Sequence, residues 1–104
     1  MNNDRFLTTL GLARRAGKLC RGFDSNVENA DKIYALFLAN DCSARTKETI
    51  TEIFEQTDIV PITVDYNKAE LGYAIGTKPV GILGITDEGF AKLLKIRLTG
   101  EVIE

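Results

Sequence analysis

The segment Arg14-Arg15-Ala16-Gly17-Lys18-Leu19-Cys20-Arg21-Gly22 gathers positive charge at one place in an otherwise acidic chain. Residues 1–21 hold Arg5, Arg14, Arg15, Lys18 and Arg21 against Asp4 alone, a net of +4. The other 83 residues carry eight basic and fourteen acidic side chains, a net of −6. Guanidinium and ammonium groups concentrated in this way neutralise phosphate, so the asymmetry points to a polyanionic partner, nucleic acid above all. An overall pI near 5.2 excludes indiscriminate coating of nucleic acid, which needs a broad basic surface. Contact is therefore expected at one patch only.

Little else in the chain offers chemistry. The absence of histidine removes the usual general base and the Ser/His and Cys/His mechanisms. Cys20 and Cys42 are isolated, with no CxxC pair, and read as small buried hydrophobes rather than zinc ligands or nucleophiles. Gly81-Ile82-Leu83-Gly84 lacks the spacing of a phosphate-cradling loop, so its glycines are assigned to close packing in a strand or a bulge. No enzymatic activity, cofactor or metal is expected. The 104 residues, 44% of them hydrophobic, suffice for one domain spanning 1–104. No apolar run approaches the ~20 residues of a membrane helix, and no leader precedes Met1, so a cytoplasmic location is expected.

The elements that must position the basic segment follow from periodicity. Phe6, Leu7, Leu10 and Ala13 define a helix over about 4–16, with Asn2, Asn3 and Asp4 as cap candidates and Gly17 as a left-handed stop. A short strand over 18–21 follows. Gly22 then opens the next element, where Ser25-Asn26-Val27-Glu28 matches a capping box for a short helix over 26–31. Ile33–Ala39 reads as a central strand covered on both faces, and Ser43 as the cap of a helix with Thr46, Ile50, Ile53 and Phe54 inward. Asp58–Val64 is an edge strand marked by Pro61. Asn67 opens a helix that Gly76 stops; Pro79–Ile85 is the third long strand. Thr86 or Asp87 caps a final helix, and the tail 99–104 is expected to fray. Alternating strands and helices predict a layered α/β domain with a four-stranded sheet between helices.

Four segments carry a resemblance. Gly11-Leu12-Ala13-Arg14-Arg15-Ala16-Gly17-Lys18-Leu19 followed by Gly22 is similar to the opening of the bacterial YlxQ-like proteins. Leu38–Lys47, Leu71–Gly76 and Gly84–Ala91 agree in the same order and spacing, so the resemblance covers roughly residues 5–98. These proteins belong to the kink-turn-binding superfamily of ribosomal proteins L-seven-Ae and L-thirty-e. The resemblance implies a three-layer α/β/α sandwich with a mixed four-stranded sheet. It also implies non-enzymatic binding of RNA kinked around tandem sheared G·A pairs, in ribosome or ribonucleoprotein assembly.

The candidate RNA site combines both readings. Gly22 before a helix leaves first-turn N–H groups facing outward as a phosphate site, and Lys18 and Arg21 just upstream supply counterion-releasing contacts. Arg14 and Lys18 share a face if the first helix continues that far, and Arg15 then points elsewhere. The resemblance maps family contact positions onto Asp24, Ser25 and Glu28. Asp24 can accept hydrogen bonds from guanine donors, and Ser25 can serve as cap or contact. Glu28 departs from the family's lysine and fits a capping box better. By the same resemblance Asn40 and the following Arg45 present polar groups to RNA, and Lys78 lies in a loop that packs against the kink. Asn40 is equally an ordinary turn former and Lys78 a solvated loop lysine. The expected function is recognition of structured, kink-turn-like RNA of the ribosome, with ribosome-associated proteins as further partners and no membrane. The alternative is a family member inactive on RNA that serves as a protein-interaction module, motivated by the acidic pI, Glu28 and the acidic helix face of Glu48, Glu52 and Glu55.

Overall fold

The computed structural model describes residues 4–99. Helix α1 (Arg5–Arg15) leads into strand β1 (Leu19–Arg21), helix α2 (Phe23–Glu28) and a single 3-10 turn at Ala30–Lys32. Then follow β2 (Ala35–Leu38), α3 (Ala44–Phe54), β3 (Ile62–Thr63), α4 (Lys68–Ile75), β4 (Ile82–Ile85) and α5 (Glu88–Thr99). The sheet order is β1-β4-β2-β3. β4 pairs antiparallel with both β1 and β2, and β2 pairs parallel with β3, so the sheet is mixed. No helix among the described residues is long and apolar enough to cross a membrane.

The two central strands are buried throughout, and their alternation sorts side chains into two cores. Ala35, Phe37, Leu83 and Ile85 face a core with Phe6 and Leu10 of α1, Leu71 and Ile75 of α4, and Leu94 of α5. Leu36, Leu38 and Ile82 face a second core with Ile50 and Phe54 of α3, flanked by Phe23 and Val27 of α2. The molecule is therefore the expected α/β/α sandwich, with α1, α4 and α5 on one side of the sheet and α2 and α3 on the other.

Most element ends sit where residue chemistry places them. Asp4 caps α1, Ser43 caps α3, and Asn67 with Glu70 closes a reciprocal capping box on α4. Gly17 (φ 73°) and Gly76 (φ 75°) take the left-handed turns after α1 and α4. The Asp87 carboxylate accepts from the Phe90 N–H at the start of α5. The strand expected over 58–64 shrinks to Ile62–Thr63, because Pro61 offers no N–H to a ladder and Val60 points into solvent. Asn2, Asn3 and the tail beyond Thr99 lie outside the described residues.

The helix after Gly22 departs from expectation. It begins at Phe23, not Asn26, and no capping box forms at Ser25-Glu28. The cause is Asn26, which is fully buried. Its amide donates to the carbonyls of Cys20 (3.1 Å) and Gly22 (2.7 Å), drawing the chain into a helical turn straight after β1. Gly22 takes φ 91°, ψ 170°, a conformation reserved for glycine, and its N–H reaches the Ile82 carbonyl at 2.8 Å. Ser25 is thereby carried inside the first turn. The Asn26 Oδ1 has no conventional donor among the described residues. It rests on Gly84, where a Cβ would lie 1.8 Å away, so a Cα–H of Gly84 fills the place of a donor.

Asp4 performs a second tie. One carboxylate oxygen caps the Leu7 N–H (3.0 Å), and the other accepts from the Tyr66 hydroxyl. The Tyr66 ring stacks on Phe6, which meets Phe37 edge to face. This joins α1, β2 and the loop before α4.

Two outcomes follow from these ties. Burial first, then the hydrogen bond and charge of Asp4, push the Tyr66 hydroxyl well above its ordinary value near 10. Above that value the unfolded chain loses this proton while the folded chain keeps it, so the contribution is present below about pH 10 and is lost as pH rises beyond it. Tyr66→Phe should lower neutral-pH stability by about 1 kcal/mol and flatten the alkaline decline. Urea melts of both proteins from about pH 8 to about pH 11 check this, and parallel declines would contradict it. Asn26→Ala and Gly84→Ala should each cost about 1–3 kcal/mol, the first by stranding two carbonyls and the second by forcing a methyl into the carboxamide. The double variant should cost less than their sum, because the new methyl enters space the carboxamide vacates. Strict additivity would contradict the contact.

Candidate nucleic-acid interface

At the end of the sheet where β4 begins, four chain segments converge. The first is the β1–α2 junction, fastened to β4 through the Gly22–Ile82 hydrogen bond. The second is the β2–α3 turn. There the Cys42 thiol donates to the Gly81 carbonyl at 3.1 Å, and Asp41 Oδ1 accepts from the Lys68 N–H at 2.9 Å. The third is the start of α4, whose Lys68 carbonyl accepts from Val80 at 3.1 Å. The last is the loop into β4, pressed so closely on α4 that a Cβ on Gly72 would lie 2.3 Å from the Lys78 carbonyl.

These bonds enclose a shallow concavity of about 150 Å³ lined by Gly22, Phe23, Ser43, Thr46, Lys68 and Gly81, with Cys42 and Ile82 at its base. Gly81 keeps it open: a Cβ there would lie 2.6 Å from the Cys42 sulfur and 3.4 Å from Cε of Lys68. Gly22 leaves its outer side free, with nothing within 4 Å of where a side chain would start. A ligand backbone can therefore approach this peptide closely. Ser43 Oγ accepts the Thr46 N–H (3.1 Å) and donates to the Thr46 hydroxyl (2.9 Å), which orders the hydroxyl rim.

The sequence-derived site residues divide into two groups. Arg21, Gly22, Asp24 and Ser25 belong to the β1–α2 junction, where Gly22 lines the concavity and the other three are its neighbours in the chain. Asn40 and Arg45 flank the β2–α3 turn beside it, both exposed, and Lys78 sits exposed in the loop leading to Gly81. Asn40 also ties this turn to the loop before α4, donating its N–H to the Tyr66 carbonyl at 2.8 Å. Arg14, Arg15 and Lys18 lie elsewhere. The Lys18 carbonyl accepts from Thr86 past the far end of β4, whereas Gly22 bonds Ile82 at its near end. Four residues of extended chain, about 13 Å, separate the two. Helix α1 ends at Arg15, so Arg14 and Lys18 do not share a helical face. Arg14 instead lies beside Gly76 at the carboxyl end of α4, where its charge complements the helix dipole.

The phosphate-binding helix start expected after Gly22 is also modest. α2 has six residues, and Asp24 puts a carboxylate in its first turn. Positive charge at the concavity must come from side chains. Lys68 is the contributor that sequence reasoning missed, because the Asn67–Glu70 capping box accounts for its neighbourhood without reference to any partner. The signal available was a lysine at the first position of a helix, where the dipole disfavours a cation. Among the described residues no group of histidine, cysteine and carboxylate side chains could hold a metal ion.

Comparison with known proteins agrees with this architecture. Over 101 residues the chain is 35% identical to the RNA-binding protein YlxQ of Enterococcus faecium, covering 95% of this chain and 96% of that one. It is 31% identical over 97 residues to the RNA-binding protein YlxQ of Bacillus subtilis (strain 168), covering 90% and 95%. A Bacillus halodurans C protein of unknown function superposes with a TM-score of 0.84 at 26% identity, over 93% of this chain and 99% of that one. The Giardia lamblia 15.5kD RNA binding protein shares the fold at a TM-score of 0.74 and 13% identity, over 96% and 90%. Residues 4–95 match the family described as ribosomal protein L7Ae/L30e/S12e/Gadd45, and the chain belongs to that family.

Proposed function

We propose that the protein binds structured RNA of the kink-turn type without enzymatic action, in association with the ribosome. The observation that carries this reading is the convergence of Lys68 and the Ser43–Thr46 hydroxyls around an open glycine backbone at Gly22, with Arg21 the preceding residue of the chain. Phosphate needs cations and close backbone approach, and both occur here together. The naming of two full-length relatives as RNA-binding proteins supports the same partner class. In this reading Arg21 and Lys68 neutralise phosphates. Asp24 and Ser25 face base edges, where a carboxylate selects the amino and imino donors of guanine. Asn40, Arg45 and Lys78 extend the contact to either side. Asp24 also repels phosphate, so affinity depends on its finding guanine donors.

A second reading rests on α3, whose exposed Glu48, Glu52 and Glu55 line a separate shallow groove with Lys47 and Thr51. A chain inactive on RNA would use that face for a protein. Co-purification with and without ribonuclease separates the two, because a partner that survives RNA removal favours the protein reading.

The direct test is titration of a kink-turn RNA, a matched plain duplex and a hairpin over a range of salt. The kink-turn should bind most tightly. Arg21→Ala and Lys68→Ala should each weaken binding and reduce the log–log salt slope by about one unit. Equal affinity for the kink-turn and the duplex would contradict the proposal.

A further inference from the structure

The two arginines that the fold carries away from the concavity lie on a surface of their own. Helices α1 and α4 run side by side in the same direction. Asp4 meets Tyr66 just before α4, Gly11 comes within 2.9 Å (measured from its Cβ position) of the Ala74 carbonyl, and Arg14 lies beside Gly76. Between the helices run two confluent grooves of about 340 and 440 Å³ that share Thr8, Tyr73 and Ala74. Arg14 and Arg15 line the larger one, together with Leu12 and the glycines at 11 and 76. Tyr73 is 89% exposed and Leu12 48% exposed, so an aromatic and an aliphatic side chain both stand in solvent at the lip. Neither guanidinium forms a hydrogen bond or ion pair among the described residues.

We infer that this groove binds an unpaired, single-stranded stretch of the RNA, with a base stacked on Tyr73 and its phosphates on Arg14 and Arg15. The inference rests on the RNA reading above and adds a second contact to it. An exposed aromatic ring next to unpaired guanidinium groups is the combination that holds single strands: the ring takes any base by its face, and the cations follow the backbone. Charge complementarity sets the direction. Asp4 lines only the smaller groove, with both its oxygens engaged, so phosphate is accepted at the Arg14–Arg15 end and repelled at the other.

The test compares a blunt kink-turn RNA with the same RNA bearing a single-stranded extension of about six nucleotides. Wild type should bind the extended RNA about five- to tenfold more tightly. Tyr73→Ala should abolish that gain and leave the blunt affinity unchanged, whereas Tyr73→Phe should keep it. Arg14→Gln/Arg15→Gln should lower the salt slope of the gain by about 0.7 for each phosphate that is no longer neutralised. Equal wild-type affinity for the two RNAs would overturn the inference while leaving the kink-turn reading intact. Failure to bind the blunt RNA would overturn that reading itself. A ribonuclease-resistant protein partner that Tyr73→Ala releases, with no gain from the extension, would assign the groove to a protein and overturn the inference as well.

Discussion

The carboxamide of Asn26 is the constraint on which the arrangement depends. It is buried completely, donates to the Cys20 carbonyl of β1 and the Gly22 carbonyl of the junction, and presses its oxygen on Gly84 of the central strand. A buried amide carries a desolvation cost that only well-placed acceptors repay. The acceptors here are the carbonyls of Cys20 and Gly22, so the peptide at Gly22 has one orientation. Gly84 is glycine because the amide occupies the space a side chain would fill. Gly22 is glycine because only it adopts the resulting φ. Core packing and site geometry are thus one event.

The concavity inherits its rigidity from this clamp and from bonds linking the loops to one another. The thiol of Cys42, the carboxylate of Asp41 and the carbonyl of Lys68 each join segments far apart in sequence. A site built this way is preorganised, so binding orders few side chains and loses little affinity to that ordering. The strand that leads into Gly22 also divides the positive charge. β1 holds Lys18 and Arg21 at opposite ends of β4, so one basic segment of sequence becomes two separate surfaces.

The sandwich is largely legible in the residues, because its signals are local. Caps at Asp4, Ser43 and Asn67, stops at Gly17 and Gly76, and the apolar runs at 33–39 and 79–85 each declare an element without help from the rest of the chain. The features that differ from expectation depend on tertiary contacts. Ser25-Asn26-Val27-Glu28 matches a capping box, yet Asn26 is taken by carbonyls outside that pattern and the helix starts earlier. The charge cluster is visible in the residues, but its division depends on the register of β1 against β4. Lys68 joins the site through contacts with residues 12 and more positions away, which no spacing rule shows.

In the proposed mode RNA meets the protein at the Gly22–Lys68 end of the sheet. Mapping backbone amide shifts by nuclear magnetic resonance during titration with a kink-turn RNA tests it most directly. The largest changes are expected at Gly22–Ser25, Ser43–Thr46, Lys68 and Gly81. Changes centred on the acidic face of α3 or on α5, with these residues unmoved, would contradict it.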